Sequence, residues 1–302
     1  MGAMRIAVTG SHGFIGSALV ACLKQRGHSV TRIVRSAAAP GDIEWNPAAG
    51  TLDPEPLAGI EGAVNLAGAP IGDKRWTEDR KQEIRSSRVE STGLLAARLA
   101  ELPAPPGVLV SGSAIGFYGN RGDTELDEGS PPGSDFLAEV CRQWEEATAP
   151  AESAGIRVVH VRTGIVLGAE GGMLKKLLPL FRLGLGGKLA SGTSYQSWIS
   201  LEDEVAAIVY ALETASLTGA TNLTAPGPVT NAELTETLGR VLHRPAMVPV
   251  PRFAMAAALG PEMADVMLLA SQRVLPTKLL TEGFEFRYPD LEGALRAAAT
   301  RG

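Results

Sequence analysis

The stretch that decides the fold is Arg5-Ile6-Ala7-Val8-Thr9-Gly10-Ser11-His12-Gly13-Phe14-Ile15-Gly16. It begins with a short apolar run typical of a buried parallel strand, and apolar residues recur at helical spacing from Phe14 onward. A glycine turn between a strand and a helix lets the backbone approach a pyrophosphate, and the helix N-terminus offers free N–H groups. The stretch therefore predicts a dinucleotide site. The alternative is an ordinary strand–helix turn, because turns also collect glycine for steric reasons.

Composition excludes several classes of protein. The 302 residues, 45% of them hydrophobic, suffice for one large domain or for one domain with a smaller lobe. The net charge of −5 is spread along the chain, so we expect no nucleic-acid partner. Cys22 and Cys141 lack metal-type spacing, which predicts no metal site and favours the reducing cytoplasm. No apolar segment reaches the length of a membrane span, so we expect a soluble protein with no membrane partner.

The end of the second strand distinguishes NADP from NAD. Residues 29–35 form a β-rich run that ends in Arg35-Ser36, and no carboxylate follows until Asp42. In dinucleotide folds an acidic residue at this point bonds the ribose 2′-hydroxyl, whereas an arginine suits a 2′-phosphate. The sequence therefore predicts NADP, with NAD the weaker alternative. The other interpretation is that Arg35 merely faces solvent.

Strands and helices alternate up to about residue 165, which predicts a Rossmann-type doubly wound parallel sheet. The segment 40–62 is interpreted as a loop with one edge strand, and the pattern changes after Gly171. We predict a dinucleotide-binding domain over 4–168, to which 197–224 returns. Residues 169–196 and 225–302 are predicted to form a smaller α+β lobe for substrate.

Several strand ends carry small or polar residues, and the carboxyl ends of parallel strands are where ligands bind in open sheets. Glu83, Ser87 and Arg88 lie on a long amphipathic helix, and the i,i+4 spacing of Glu83 and Ser87 puts these two on one face, which we expect to look toward the same crevice. The predicted cofactor contacts are Thr9, Gly10, His12, Gly13, Phe14, Ile15, Gly16, Arg35, Ser36, Leu66, Ala67, Gly68, Glu83, Arg88, Ser111, Thr163, Gly164 and Ile165.

A cluster of hydroxyls follows the strand that begins at Val108. Ser111, Ser113 and Tyr118 lie at its end, so Ser113 and Tyr118 are candidate catalytic residues. Serine at a strand end is also a common turn former, and that interpretation stays open. His160 lies in an alternating apolar run and is interpreted as a structural histidine.

Five motifs carry a resemblance to a known family. They are Gly10-x-x-Gly13-x-x-Gly16, Asn65-Leu66-Ala67-Gly68, Ser111-Gly112-Ser113 with Tyr118-Gly119, Arg162-Thr163-Gly164-x-Val166-x-Gly168, and Trp198-Ile199-Ser200-x-Glu202-Asp203. From Met4 onward the chain resembles the extended branch of the short-chain dehydrogenase/reductase superfamily, the nucleotide-sugar epimerase-like proteins. Arg75-Trp76, Ser87-Arg88, the run 136–141 and the tail 283–291 resemble an atypical subfamily without an assigned substrate.

The resemblance implies a Rossmann domain with a small C-terminal lobe that closes over substrate. It also exposes a departure, because working members use a tyrosine four residues before a lysine, and this sequence contains no Tyr-x-x-x-Lys. The matching helix offers Phe136 and Val140, or Leu137 and Cys141. The usual asparagine of the preceding helix is replaced by Arg88. Glu83 and Arg88 are then the groups best placed to hold the ribose hydroxyls.

Proton transfer must therefore come from other residues. Ser113 matches the family's substrate-polarising serine, Tyr118 lies near it, and Tyr195, Gln196 and Trp198 are the predicted substrate contacts. We expect an NADP-dependent oxidoreductase or epimerase-like enzyme acting on a small carbonyl, hydroxyl or nucleotide-sugar substrate. The alternative is an NADP(H)-binding redox sensor or scaffold without reductase chemistry. The chain is expected to be a homodimer or a monomer, and the sequence favours neither.

Overall fold

The computed structural model describes residues 2–36 and 39–300, and one large sheet organises it. The strands are β1 (Arg5–Thr9), β2 (Ser29–Val34), β3 (Ile43–Asn46), β4 (Thr51–Leu52), β5 (Gly62–Asn65), β6 (Val108–Ala114), β7 (Glu125–Leu126), β8 (Arg157–Thr163), β9 (Ile165–Leu167), β10 (Tyr195–Gln196), β11 (Trp198–Ser200), β12 (Gly219–Leu223), β13 (Val229–Thr230) and β14 (Arg273–Val274). Eight of them form a sheet in the order β12-β8-β6-β5-β1-β2-β3-β4.

The strand order creates a crevice at the centre of this sheet. From β1 the chain proceeds outward through β2 to β3, and then returns to β5, β6, β8 and β12 on the other side. All neighbours in the sheet are parallel except β3 and β4. The reversal between β1 and β5 is the switch point at which doubly wound sheets bind ligands. The predicted fold class is confirmed.

The helices cover both faces of the sheet. They are α1 (Phe14–Gln25), α2 (Glu78–Ala100), α3 (Phe136–Glu146), α4 (Ala149–Ser153), α5 (Gly172–Arg182), α6 (Leu201–Glu213), α7 (Asn231–Leu242), α8 (Arg252–Leu259), α9 (Pro261–Met263), α10 (Thr277–Thr281) and α11 (Leu291–Thr300). Helices α1 and α6 pack together on one face, and α2, α3 and α4 pack together on the other. This two-sided cover explains why the central strands are apolar runs without simple alternation.

Alternate residues of each strand enter different cores. In β1, Ile6 and Val8 belong to the core shared with α1 and α6, whereas Ala7 belongs to the core shared with α2 and α4. All three are buried. Because successive side chains of a strand point to opposite faces of the sheet, the same strand contributes residues to both cores.

A third apolar core forms the smaller lobe. Helices α5, α7 and α11 enclose Leu178, Trp198, Leu234 and Leu295, all of them buried. Short strand pairs join β9 to β11, β10 to β13 and β7 to β14. Strand β12 and helix α6 belong to the large sheet and its cover. The residue boundaries of the two parts stay a prediction.

Local features set the limits of two helical segments. Helix α2 begins at Glu78, because Thr77 caps it by accepting the backbone N–H of Arg80 at 3.2 Å. The apolar segment 253–270 is interrupted at Gly260, whose φ of +91° lies in the left-handed region that a helix cannot use. No helix within residues 2–36 and 39–300 is long and apolar enough to cross a bilayer.

Candidate cofactor site and active site

The glycine turn after β1 is packed too closely for side chains. Gly10 has φ of +65°, and a Cβ there would lie 2.5 Å from the carbonyl oxygen of Leu66. A Cβ on Gly16 would lie 2.1 Å from the carbonyl oxygen of Gly10. The neighbours are backbone atoms that cannot rotate away. The turn is thereby held between the end of β5 and the start of α1.

The first turn of α1 has the features of an anion site. Its N-cap residue, Gly13, provides no side-chain cap, and no acidic residue occupies the first turn. Gly13 is exposed, and a Cβ there would meet only the carbonyl oxygen of Gly10, at 3.2 Å. The hydroxyl of Ser11 is buried and has no hydrogen-bond partner within the described part of the chain. Free N–H groups, a positive helix end and an unpartnered hydroxyl fit a pyrophosphate.

Two predicted cofactor residues of this region have other side-chain partners. Thr9 is fully buried, donates to Asn65 Oδ1 at 2.6 Å and accepts the N–H of Leu66 at 3.1 Å. The ring of Phe14 lies so close to Gly171 that a Cβ on that glycine would be 2.3 Å from ring Cγ. Thr9 therefore fixes the loop after β5, and Phe14 joins α1 to the segment before α5.

The end of β2 carries two exposed residues and one partly buried ion pair. Arg35 and Ser36 are exposed. Arg32, which we did not predict, donates from Nε and Nη2 to both carboxylate oxygens of Asp42 at 2.8 and 2.9 Å. Its Nη1 lies 3.3 Å from His12 Nε2, which joins β2 to the glycine turn. The sequence did contain a signal for Arg32, because a charged residue inside a β-rich run often has a specific partner.

Arg88 supplies a cation beneath the loop that follows β5. A Cβ on exposed Gly68 would lie 3.1 Å from Arg88 Cζ, and the guanidinium stacks on the Trp144 ring at 5.1 Å. It donates to the carbonyl oxygen of Ile84 at 3.1 Å. Burial lowers the pKa of Arg88 to about 10. The group stays charged at neutral pH.

Glu83 differs from Arg88 in its surroundings. Its carboxylate is 56% exposed and accepts from Arg80 Nη1 at 2.5 Å. That hydrogen bond is the main reason why the pKa of Glu83 is lowered. Ser87, on the next turn, accepts the backbone N–H of Ala69 at 2.9 Å. The helix thus holds the loop after β5 through Ser87 and presents a paired carboxylate beside it.

Ser113 is bound to an ion pair that we did not predict. Its hydroxyl donates to Glu145 Oε1 at 2.6 Å. Arg162 donates from Nε and Nη2 to the two oxygens of Glu145, both at 2.8 Å. The side chains of Arg162 and Glu145 are only 5% and 12% exposed. Ser113 therefore belongs to a buried Ser–Glu–Arg cluster between β6, α3 and β8.

The catalytic prediction for Tyr118 is at odds with its position. Tyr118 is fully buried, donates to Asn222 Oδ1 at 2.6 Å and accepts from Arg162 Nη1 at 3.0 Å. Burial raises its pKa to about 12. Both hydrogen-bonding directions of the phenol are used inside the protein, and the catalytic role of Tyr118 stays a prediction. Ser111 is also fully buried, and its hydroxyl has no partner among the residues the structure describes.

Helix α3 carries no proton-transfer group at the positions that the resemblance singled out. The ring of Phe136 packs edge-on against Trp76 with centroids 5.2 Å apart. Val140 and Cys141 are buried, and Leu137 lies beside Gly116. Burial raises the pKa of the Cys141 thiol to about 12. None of these side chains exchanges a proton near neutral pH.

The turn after β8 rests on a buried acid. Thr163 donates to Glu204 Oε1 at 2.7 Å, and the other oxygen of Glu204 has no partner within the described residues. Burial raises the pKa of Glu204 to about 8. A Cβ on Gly164 would lie 2.7 Å from the Ser197 carbonyl oxygen, which also accepts the N–H of Ile165 at 2.8 Å. The turn is therefore held by Ser197, which precedes β11, on one side and by Glu204 of α6 on the other.

The three predicted substrate residues occupy different environments. Tyr195 is partly exposed, and its ring lies 5.2 Å from the Arg273 guanidinium. Gln196 is 6% exposed, and its Oε1 has no partner within the described chain. Trp198 is 1% exposed and donates to the Gly227 carbonyl oxygen at 2.9 Å. The side chain of Trp198 belongs to the lobe core, and its role as a substrate contact stays a prediction.

The chain is similar in sequence to the members of one known family. The model of the NAD dependent epimerase/dehydratase family matches residues 6–223, and a domain of unknown function, DUF1731, matches residues 250–298. The chain belongs to the NAD dependent epimerase/dehydratase family. An epimerase family protein of Mycobacterium bovis is 46% identical over 297 residues, which cover 98% of each chain. Human epimerase family protein SDR39U1 is 39% identical over 297 residues, covering 97% of this chain and 99% of the human one.

Solved structures of family members have the same architecture. The crystal structure of human SDR39U1 with NADPH matches with a TM-score of 0.91 at 37% identity, covering 99% of this chain and 100% of that one. The UDP-N-acetylglucosamine 4-epimerase of Bacillus cereus matches with a TM-score of 0.77 at 18% identity, over 99% and 100% of the two chains. At that lower identity the second match supports the fold alone.

Proposed function

We propose that this protein binds NADPH in the crevice between β1 and β5 and uses it as an oxidoreductase or epimerase-like enzyme. The substrate is a small carbonyl or hydroxyl compound or a nucleotide sugar. The observation that carries the proposal is the uncapped first turn of α1, placed at the switch point of the sheet. The NADPH in the crystal structure of human SDR39U1 supports the choice of cofactor.

Separate residues would hold the parts of the cofactor. The N–H groups of the α1 first turn and the Ser11 hydroxyl suit the pyrophosphate. Arg35 and Ser36, exposed at the end of β2, suit the 2′-phosphate. Arg88, which lies beneath Gly68, would supply a cation for the ribose of the nicotinamide, with Glu83 on the same helix. Bound NADPH supplies a hydride to the substrate.

Ser113 is the proposed residue at the reacting oxygen. Its own proton is donated to Glu145, so Ser113 Oγ offers its lone pairs to a substrate hydroxyl. In the oxidative direction, in which bound NADP+ would take the hydride, Ser113 Oγ accepts the proton of the substrate hydroxyl and passes its own proton to Glu145 Oε1. In the reductive direction, in which bound NADPH would give the hydride, the two proton transfers run in reverse. Arg162 positions Glu145 through two hydrogen bonds. This route replaces a tyrosine and lysine on α3 with residues of β6 and β8.

A fluorescence titration with NADPH and NADH tests the cofactor proposal. Arg35→Ala removes a charged contact to phosphate, so its NADPH Kd should rise about 10- to 100-fold, as expected for a hydrogen bond to a charged group. The NADH Kd should not change. Arg26→Ala, an exposed arginine paired with Glu213, is the matched control. An equal rise in Kd for NADPH and NADH, or no change in either Kd, would contradict the assignment of Arg35.

A second candidate function is an NADPH-binding redox sensor or scaffold without turnover. The specific observation in its favour is the lack of a proton-transfer group at the singled-out positions of α3. A panel of aldehydes, ketones and nucleotide sugars, followed by NADPH absorbance, separates the two candidates. Turnover that falls in Ser113→Ala supports the enzyme. Tight NADPH binding with no turnover across the panel supports the sensor.

A further inference from the structure

We propose that Trp144 is a positioning residue of the cofactor site, which holds the Arg88 guanidinium beside the loop that follows β5. Thr92 has the same role one step further back, because it fixes the indole ring of Trp144. The inference rests on the proposed NADPH binding and adds to it two residues that act through Arg88. Its basis is the stacking of the Arg88 guanidinium on the Trp144 ring.

Arg88 has few contacts of its own that fix its direction. Its Nη1 donates to the carbonyl oxygen of Ile84 at 3.1 Å, and within the described part of the chain this is the only hydrogen bond of the guanidinium. Among the described atoms, no Arg88 nitrogen is both sealed from solvent and unpartnered, so its remaining N–H groups reach accessible space. One hydrogen bond does not hold a long side chain with several rotatable bonds in a single conformation. Donors that are to meet a ribose therefore need support from another group.

Trp144 supplies that support. The central carbon of the Arg88 guanidinium lies 5.1 Å from the centroid of the Trp144 ring. A guanidinium is attracted to the face of an aromatic ring, and most strongly to that of tryptophan. The same carbon would lie 3.1 Å from a Cβ on Gly68, in the loop that borders the crevice between β1 and β5. The indole and the Gly68 backbone therefore confine the guanidinium at the edge of the proposed cofactor site.

The indole ring is itself fixed at two places. Its Nε1 donates to Thr92 Oγ1 at 2.8 Å. At its other end, a Cβ on Gly112 would lie 2.8 Å from Trp144 Cζ2, so the ring packs directly on the backbone of β6. A buried tryptophan whose N–H is paired and whose benzene edge rests on a strand has little freedom to turn. The ring is therefore a rigid platform for Arg88.

Buried hydrogen bonds connect this platform to the strand that leads into the glycine turn. Thr92 is fully buried, and its Oγ1 also accepts from Asn65 Nδ2 at 2.6 Å. The other end of the same amide, Asn65 Oδ1, accepts from Thr9 at 2.6 Å. The chain of contacts runs from the end of β1 through Asn65 and Thr92 to Trp144. It sets the place of Arg88 relative to the turn that suits the pyrophosphate.

Isothermal titration calorimetry of the full chain with NADPH and with adenosine 2′,5′-bisphosphate is the test. The bisphosphate contains the adenosine half of NADPH and lacks the nicotinamide ribose. Arg88→Met should raise the NADPH Kd about 10- to 100-fold, as expected for a hydrogen bond to a charged group. Trp144→Leu should raise it about 3- to 30-fold, which corresponds to a cation–π contact away from water. Neither variant should change the Kd of the bisphosphate, and Trp144→Phe, which keeps an aromatic face, should bind NADPH better than Trp144→Leu.

A double variant separates positioning from a general effect on folding. In the Arg88→Met background no guanidinium remains to be held, so Trp144→Leu should cause no further rise of the NADPH Kd. A merely structural role of Trp144 would raise the Kd by the same factor in both backgrounds.

Variants of Thr92 carry the same test if Trp144→Leu does not fold. Thr92→Val leaves the indole N–H without its acceptor, so the NADPH Kd should rise, and again only where Arg88 is present. Thr92→Ser keeps the hydroxyl and should retain the wild-type Kd. Trp45→Leu is the matched control, because Trp45 is 4% exposed, against 7% for Trp144, and belongs to the core that β3 shares with α2. Its NADPH Kd should equal that of the wild type.

Several results would overturn the inference. They are an unchanged NADPH Kd in Trp144→Leu, an equal rise for the bisphosphate, and an undiminished effect in the Arg88→Met background. If Arg88→Met binds NADPH as tightly as the wild type, the role proposed for Arg88 fails and this inference fails with it. A wild-type protein that binds neither ligand would refute the proposed function itself. Thermal unfolding followed by circular dichroism confirms that each variant is folded before the Kd values are compared.

Discussion

The buried pair of Arg162 and Glu145 gives the sharpest stability prediction. In Arg162→Met the apolar stem is kept, but the guanidinium, whose central carbon lies 3.5 Å from the centroid of the Phe117 ring, is removed. Glu145 would lose both of its 2.8 Å charged hydrogen bonds, and Tyr118 would lose one donor. The variant leaves a carboxylate that is 12% exposed without a counter-charge.

Breaking a buried ion pair in this way costs about 3–5 kcal/mol. An unfolding entropy of about 2.1 cal/mol/K per residue, over the 302 residues of the chain, converts that loss into a Tm decrease of about 5–8 °C. Glu145→Leu should cost a similar amount, because it leaves the guanidinium unpaired. Urea unfolding followed by circular dichroism measures both, and an unchanged m value shows that the denatured state is the same.

The double variant Arg162→Met/Glu145→Leu distinguishes an ion pair from two independent packing contacts. Removing both charges leaves neither one unpaired, so the double variant should be more stable than the sum of the single losses predicts, by about 2 kcal/mol or more. Strictly additive losses would refute the reasoning. A loss below about 1 kcal/mol for Arg162→Met would refute it as well, because that is the range of an exposed pair.

Two further predictions concern a buried acid and the glycine turn. The pKa of Glu204 is raised from 4.5 to about 8, so the folded chain keeps a proton that the unfolded chain loses, and stability falls as pH rises between these values. Glu204→Gln should remove about 1.4 kcal/mol per pH unit of this decline, measured by urea unfolding from pH 5.5 to 7.5, and parallel curves would contradict it. In Gly16→Ala the new Cβ lies 2.1 Å from a backbone oxygen. We expect a stability loss of about 1–3 kcal/mol and loss of NADPH binding, whereas the exposed neighbour variant Ser17→Ala keeps both; normal binding by Gly16→Ala would be the contrary result.

The sheet could be predicted because its signals are local. The apolar runs of β1, β5 and β6 and the glycine turn after β1 each lie within a dozen consecutive residues. Parallel pairing then follows from the alternation of strands and helices. The limits of helices were less predictable, since the start of α2 depends on one hydrogen bond from Arg80 N–H to Thr77.

The polar residues of the site were less predictable than the fold. Arg162 and Glu145 are 17 residues apart, on β8 and α3, and their pairing depends on how that helix packs against the sheet. The burial of Tyr118 and Trp198 was unpredictable for a related reason. An aromatic side chain with a polar atom can face either a crevice or a core, and these two donate to the Asn222 side chain and to the Gly227 carbonyl oxygen. A sequence contains no direct signal for that choice.

Cofactor binding and proton transfer depend on different parts of this molecule. The groups that suit NADPH lie in the α1 turn, at the end of β2 and on α2, and none of them belongs to α3. The lack of a tyrosine and lysine at the singled-out positions of α3 therefore leaves the proposed dinucleotide crevice complete, and proton transfer is assigned to Ser113 instead. The Ser113–Glu145–Arg162 cluster lies on the opposite side of β6 from β5, beside the same strand ends. It follows that variants of the glycine turn should abolish binding and turnover together, whereas variants of Ser113 should affect turnover alone.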